Sequence, residues 1–236
     1  MKTKELISYR RTFDMSFPVV TIDRRKLGYK FMCAEAAWIL SGDDRVETIA
    51  PYSKEISRFS DDGVKFFGAY GPKITGQLWY VVDTLVRDRT SRQAVINFWR
   101  ENPKITKDVP CTVNLQFLIR GTYVHTIANM RSTDAWLGWP YDVFNFTMIT
   151  SMVMLLLETH GVGRLKLGTL TLAAGSQHLY EHNWEQAMAC LGMGTKQSFT
   201  YPAIDPYSFE TPANLINYLW DCAKGSQLPF NMEPQS

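Results

Sequence analysis

Met130-Arg131-Ser132-Thr133-Asp134-Ala135-Trp136-Leu137-Gly138-Trp139-Pro140-Tyr141-Asp142 runs directly into Val143 to Leu157, 15 residues whose hydrogen-bonding side chains are Asn145, Thr147, Thr150 and Ser151. That apolar run is short of the ~20 residues that span a bilayer, so residues 142–159 read as a core helix. Upstream, residues 112–119 and 122–129 are strand-like and joined at Arg120-Gly121, a short hairpin signal. The quoted stretch therefore stands where a strand hands over to a buried helix. Working outward, residues 17–22 and 94–99 read as short strands and 165–174 as a longer one. Residues 27–40 read as a buried helix stopped by Ser41-Gly42-Asp43-Asp44. Residues 77–87 form an amphipathic helix by the spacing of Leu78, Val81, Val82 and Leu85, and 179–191 a further helix. The tail after Gln227 reads as loosely structured. Strands and helices mix without strict βαβ alternation, which favours an α+β class over a doubly wound sheet.

Composition bounds the function. The 236 residues are 45% hydrophobic and 13% aromatic, which excludes a disordered or fibrous chain and suits one domain over 1–236. Lys plus Arg number 25 against 23 Asp plus Glu, a net charge of +2 that lacks the basic footprint of a dedicated nucleic-acid binder. An anionic ligand would be met by a few placed arginines. Cys33, Cys111, Cys190 and Cys222 show no metal-binding spacing and are expected as free thiols. The N-terminus MKTKELISYRR has no apolar core of a secretory signal, so a soluble cytoplasmic protein without a membrane is the expectation.

Four clusters carry chemistry. Cys111, just after Pro110 at the mouth of a strand, is either a buried structural thiol or a nucleophile, and the second role needs a nearby cation. Arg131 with Ser132 can bind a phosphate through guanidinium and hydroxyl; a helix cap with a surface ion pair would explain the same residues. Asp142 suits the N-terminus of the core helix electrostatically whether or not it touches a ligand. His178 and His182 stand four apart at an expected helix start, but no third metal ligand accompanies them, so His178 and Tyr180 fit a sugar hydroxyl better. Arg92, in Thr90-Ser91-Arg92-Gln93, is a weaker phosphate candidate.

The order of these pieces is more specific than any one of them. FPVVT from Phe17, AEAAWILSGDD from Ala34, GAYG from Gly68, TSRQ from Thr90, PCTVNLQF from Pro110, MRSTDAWLGWPYD from Met130 and GSQHLY from Gly175 resemble, in sequence order, segments of the thymidylate synthase family. That family also contains deoxycytidylate and cytidylate 5-hydroxymethyltransferases, which this chain most resembles. The resemblance implies a large mixed β-sheet flanked by helices, with sheet packing at a homodimer interface. It implies Cys111 as the nucleophile that adds to pyrimidine C6 and Glu35 as the acid that organises water and proton transfer. Arg131, Ser132 and Gln116 would contact the pyrimidine mononucleotide, with Arg92 donated to the phosphate across the dimer. His178 and Tyr180 would hold the sugar 3′-hydroxyl. Asp134, Gly138 and Ile56 would line the site of 5,10-methylenetetrahydrofolate. No nucleic acid is required. Three departures are visible: Gln93 replaces a second arginine, the N-terminal phosphate loop is shortened so that Arg10 or Arg11 is left to replace its arginine, and residues 47–62 lack tryptophans, with Ile56 and Phe59 in their place.

Asp142 bears on the substrate. Thymidylate synthases have asparagine there, whereas the family's cytidylate hydroxymethylases have aspartate. A carboxylate accepts from the cytosine amino group and favours a proton on N3; against uracil it faces O4 with its own lone pairs, at a cost of a few kcal/mol. The implied reaction is Cys111 addition at C6, attack by C5 on the folate one-carbon unit, loss of the C5 proton to a base and of tetrahydrofolate to leave an exocyclic methylene, and addition of water to that carbon near Ile56, with Glu35 placed to activate it. Methylation or hydroxymethylation of dUMP and a non-catalytic nucleotide- or RNA-binding relative are the competing readings. CMP and dCMP are not distinguished, nor a role in phage DNA modification from one in antibiotic biosynthesis.

Overall fold

Glu35 on one helix and Asp142 on another are both half-buried, and the sheet and helices set their places. The computed structural model describes residues 2–20, 22, 25–53, 55–191, 199–201 and 203–225. In chain order, β1 (Thr3–Asp14) and β2 (Val19–Val20) precede α1 (Tyr29–Leu40), α2 (Val46–Ile49), α3 (Gly71–Thr75) and α4 (Leu78–Arg87). Then come β3 (Val95–Asn97), β4 (Thr112–Arg120), β5 (Tyr123–Asp134) and the central α5 (Trp139–Thr159). The chain continues through β6 (Lys166–Tyr180), α6 (Trp184–Leu191), β7 (Phe199–Tyr201) and α7 (Pro212–Lys224).

Five strands form one sheet in the order β1-β6-β5-β4-β3, with β5 and β6 parallel and the other neighbours antiparallel; β2 and β7 pair separately. This is the α+β arrangement expected. Alternating residues of the strands, among them Leu115, Phe117, Ile119, Val124, Ala128, Leu170 and Leu172, are buried with α5, whose Val143, Phe144, Phe146 and Ile149 are fully enclosed. Each such side chain contributes roughly 1.5–3 kcal/mol on leaving water. By length and apolarity alone α5 would pass as a membrane span, but 83% of its most apolar 18-residue window is buried inside the fold, as befits a core helix. α1 packs against α5 and α7. Its residues from Met32 to Leu40 are buried except for the half-buried Glu35, the one acid of that helix.

Several expected boundaries move, each for a backbone reason. The strand expected over 17–22 shrinks to Val19–Val20, and the helix over 27–40 starts at Tyr29 after Gly28. The core helix begins three residues early, at Trp139, because Pro140 suits a first helical turn. β5 runs five residues past 129, so Arg131 to Asp134 are strand residues held between neighbours. The helix over 179–191 is corrected: Leu179 and Tyr180 end β6, a 3-10 turn covers Glu181–Asn183, and only Trp184–Leu191 is α-helical. β6 extends because β1 pairs with it down to Thr3 opposite Tyr180 while β5 pairs on its other side. The tail after Gln227 lies outside the described residues.

Gly68 and Gly71 explain the GAYG segment. Gly68 N–H donates to Asp108 Oδ2 at 2.7 Å, and a Cβ on Gly68 would stand 2.5 Å from the Asp108 carbonyl oxygen. A Cβ on Gly71 would stand 2.6 Å from the carbonyl oxygen of Asp43. Both obstacles are backbone and cannot rotate aside. Gly68→Ala is expected to destabilise the fold by about 1–3 kcal/mol as an overpacked contact, read as a lower melting temperature; an unchanged melt would contradict the close approach.

Candidate active site

Tyr70, held between these two glycines, reaches across to the mouth of β4. Its hydroxyl donates to Thr112 Oγ1 at 2.8 Å and accepts from Thr112 N–H at 3.1 Å. That fixes the residue next to Cys111. From the other side, Arg131 N–H donates to the Cys111 carbonyl at 2.8 Å, while Arg131 Nε and Nη2 donate to the carbonyls of Pro110 and Val109, each at 2.9 Å. The thiol is thereby clamped between two elements.

The guanidinium that does the clamping also faces the sulfur. Arg131 Nη2 lies 3.9 Å and Ser132 Oγ 3.8 Å from Cys111 Sγ, and Arg131 Nη1 donates to Ser132 Oγ at 3.0 Å. Burial raises the Cys111 thiol above its usual range and the nearby Asp142 adds to that; the Arg131 cation and the Ser132 hydroxyl pull it back. The sequence supplied a cation only at a distance along the chain; strand pairing puts it beside the thiol.

Asp142 and Glu35 form the second part of the site. Thr133 Oγ1 lies 3.5 Å from Asp142 Oδ2, at the long limit of a hydrogen bond, and a Cβ at Gly138 would sit 3.4 Å from the same oxygen, so a glycine there leaves the carboxyl room. Burial pushes Asp142 up to about 8, with the Glu35 charge as a second cause. Burial likewise pushes Glu35 up to about 7, against the hydrogen bond that Asn145 Nδ2 donates to Glu35 Oε2 at 2.7 Å. Asn145 was visible in the sequence only as a polar interruption of an apolar run. Tyr70, too, had only its place in GAYG to mark it, and burial raises its phenol above the ordinary range.

The far rim of the site is built from strand ends. β5 and β6 set Asp134 opposite His178, and Ala135 N–H donates to the His178 carbonyl at 2.8 Å. The rings of His178 and Tyr180 stand 4.9 Å apart. His178 is a strand residue and His182 lies in the 3-10 turn, so the two histidines do not share a helix face. Asp134 Oδ1 accepts from the Trp136 and Leu137 N–H groups at 2.7 and 3.1 Å, whereas Oδ2 is buried without a partner among the described residues. Arg25 donates to the Trp136 carbonyl and lies 4.4 Å over the Trp136 ring, its own Nε likewise buried and unpartnered. An aromatic heterocycle with ring N–H and amino donors, such as a folate, would satisfy Asp134 Oδ2, so the donor set fits that group.

Other candidates stand apart from this cluster. Gln116 Nε2 donates to the Arg92 carbonyl at 2.7 Å, which joins β4 to the segment ahead of β3. Arg10 and Arg11 are exposed on β1 opposite Ala173 and Leu172, two strands from Arg131. Ile56 packs on the core from its own 3-10 turn, Ile56–Phe59, outside the hydrogen-bonded cluster. Among the described residues no three His, Cys, Asp or Glu side chains are grouped as metal ligands would be.

Comparison with known proteins adds two findings. A family model described as thymidylate synthase matches residues 1–205. The crystal structure of thymidylate synthase from T4 phage superposes with a TM-score of 0.73 at 21% sequence identity, over 93% of this chain and 83% of that one; at such identity the likeness concerns the fold.

Proposed function

The chain belongs to the thymidylate synthase family, and from that premise we propose that it transfers a one-carbon unit to C5 of a cytosine mononucleotide, CMP or dCMP, as a hydroxymethyl group. The observation that carries this reading is the residue type at position 142, an aspartate where the thymidylate synthases it resembles have asparagine, in the first turn of α5 with Thr133 Oγ1 3.5 Å from its Oδ2. A carboxyl that keeps its proton near neutral pH is both donor and acceptor. It can accept from the cytosine amino group with one oxygen and give its proton to N3 with the other. Cytosine N3 accepts that proton as a hydrogen bond while the amino group donates to the other oxygen, so both ring positions are matched.

The chain's own residues supply the remaining steps. Cys111 thiolate adds to C6, and a proton on N3 makes that carbon electrophilic; the addition leaves C5 electron-rich. Arg131 stabilises the thiolate before attack and, with Ser132, offers donors to the phosphate. Asp134 and Gly138, with Arg25 and Trp136, would hold 5,10-methylenetetrahydrofolate, which when bound supplies the one-carbon unit. Glu35 takes up or releases a proton through the oxygen that Asn145 does not engage, for the water that completes a hydroxymethyl product. Arg92, exposed on this chain, would reach the phosphate of a partner subunit in a homodimer, as the family resemblance implies.

The same protonated carboxyl favours one second reading. Its O–H can donate to uracil O4 while its carbonyl accepts from N3–H, the pattern a methylating synthase uses on a uridylate. Tritium release from C5 of labelled CMP, dCMP and dUMP, with and without methylenetetrahydrofolate, separates the two. Release from a cytosine nucleotide with a mass gain of one hydroxymethyl group is the expected result. Release from dUMP alone would overturn the cytosine reading, and no release from any nucleotide would remove the enzyme reading.

A further inference from the structure

Asn145 is 4% exposed on α5, three residues after Asp142 and so on the same helical face. Its Nδ2 donates to Glu35 Oε2 at 2.7 Å, tying α5 to α1 across 110 residues of chain. Its Oδ1 is buried with no partner among the described residues. A buried amide with one satisfied end is costly, and packing alone would be served better by an apolar side chain. The satisfied end is the one that faces an acid.

We propose that Asn145 is a positioning residue that, by donating to Glu35, holds that carboxyl ionised and leaves the proton of the buried pair on Asp142. The proposal rests on the roles given above to the two acids, and it names what divides them. A hydrogen bond donated to a carboxylate favours its charged form. Two carboxyls that interact as these do resist ionising together, so the acid without the donor keeps the proton. Around Asp142 the facing groups are Glu35 from α1, Asp134 and Thr133 from β5, Tyr70 ahead of α3 and Cys111 ahead of β4. Apart from the long contact to Thr133, none of them gives Asp142 a donor comparable to Asn145. Functionally this division leaves a base at Glu35 for water and an acid at Asp142 for the ring nitrogen.

The test needs no turnover. Protein carrying 13C at the Asp and Glu carboxyls is titrated by NMR, with Glu35 and Asp142 assigned by the signals lost in Glu35→Gln and Asp142→Asn. In the wild type Glu35 is expected to ionise at lower pH than Asp142. In Asn145→Ala the Glu35 midpoint is expected to rise by about one pH unit, a tenfold change in its acid constant. Asn145→Ser, which keeps a shorter O–H donor, is expected to recover part of that shift. Asp142 ionising first in the wild type, or a Glu35 midpoint unmoved by the alanine, would overturn the proposal. An amide turned the other way, with its carbonyl toward Glu35, would produce the first of these results. If Asn145→Ala does not fold, the order of ionisation in the wild type decides. A lack of tritium release would count against the proposed function and leave this titration order untouched.

Discussion

Replacing Cys111 by alanine is expected to abolish turnover, by more than about 10⁴-fold, while nucleotide binding survives. The size follows from the role: without a sulfur to add at C6 there is no route to an electron-rich C5, and removal of a covalent nucleophile typically costs several orders of magnitude. Binding should survive because Arg131 is anchored independently of the sulfur, on the carbonyls of Val109 and Pro110. Those carbonyls and the Tyr70 contact to Thr112 do not involve the thiol, so the local backbone should persist in the variant. Steady-state tritium release and calorimetric binding of CMP or dCMP check the two halves. Undiminished turnover would contradict the nucleophile assignment. Loss of binding together with turnover would show that the sulfur serves the nucleotide site as structure. The pH dependence has a definite sign as well. Burial raises the thiol, so the thiolate fraction should climb with pH while the Asp142 proton is lost through about 8, and the rate should pass through a maximum.

Asp142→Asn is expected to lower turnover of the cytosine nucleotide by about 10²-fold or more, in the range of a lost general acid, and to shift preference toward uracil. An amide keeps the size and one donor of the protonated carboxyl but cannot pass a proton to N3. The measurement is the ratio of kcat/KM for the cytosine and uracil nucleotides in wild type and variant. An unchanged ratio would refute the role given to Asp142. Stability should move in a known direction too. Asp142 has a folded pKa near 8, above the value of an unfolded aspartate, so its burial costs folding energy that grows as pH rises from the unfolded value through about 8. The asparagine variant should therefore gain relative stability toward alkaline pH, visible as a smaller fall in melting temperature between pH 6 and pH 9, values on either side of that transition.

Much of the architecture was legible. The apolar run after Asp142, the hairpin at Arg120-Gly121 and the amphipathic spacing of Leu78, Val81, Val82 and Leu85 all sit in the elements they announce. What escaped was structure made by partners. β1 is a mostly exposed, polar edge strand whose sequence TKELISYRRTFD carries no clean alternation; it is a strand because β6 lies beside it. The Gln177-His178-Leu179-Tyr180 segment likewise lacks strand periodicity and is held extended by β1 and β5.

For the site, the amino-acid sequence by itself determined which chemical groups are present and in what order: one thiol after Pro110, an Arg-Ser pair, an aspartate opening the core helix and a glutamate inside α1. Residue identity and short-range spacing carry that information because side-chain chemistry is local. Only the tertiary structure decided that Arg131 faces the Cys111 sulfur, that Asn145 grips Glu35, and that two acids 107 positions apart act on one another. Protonation belongs to that second class. A carboxyl's proton depends on the water excluded around it and on the charges that strand pairing and helix packing bring near, and no stretch of sequence holds either quantity.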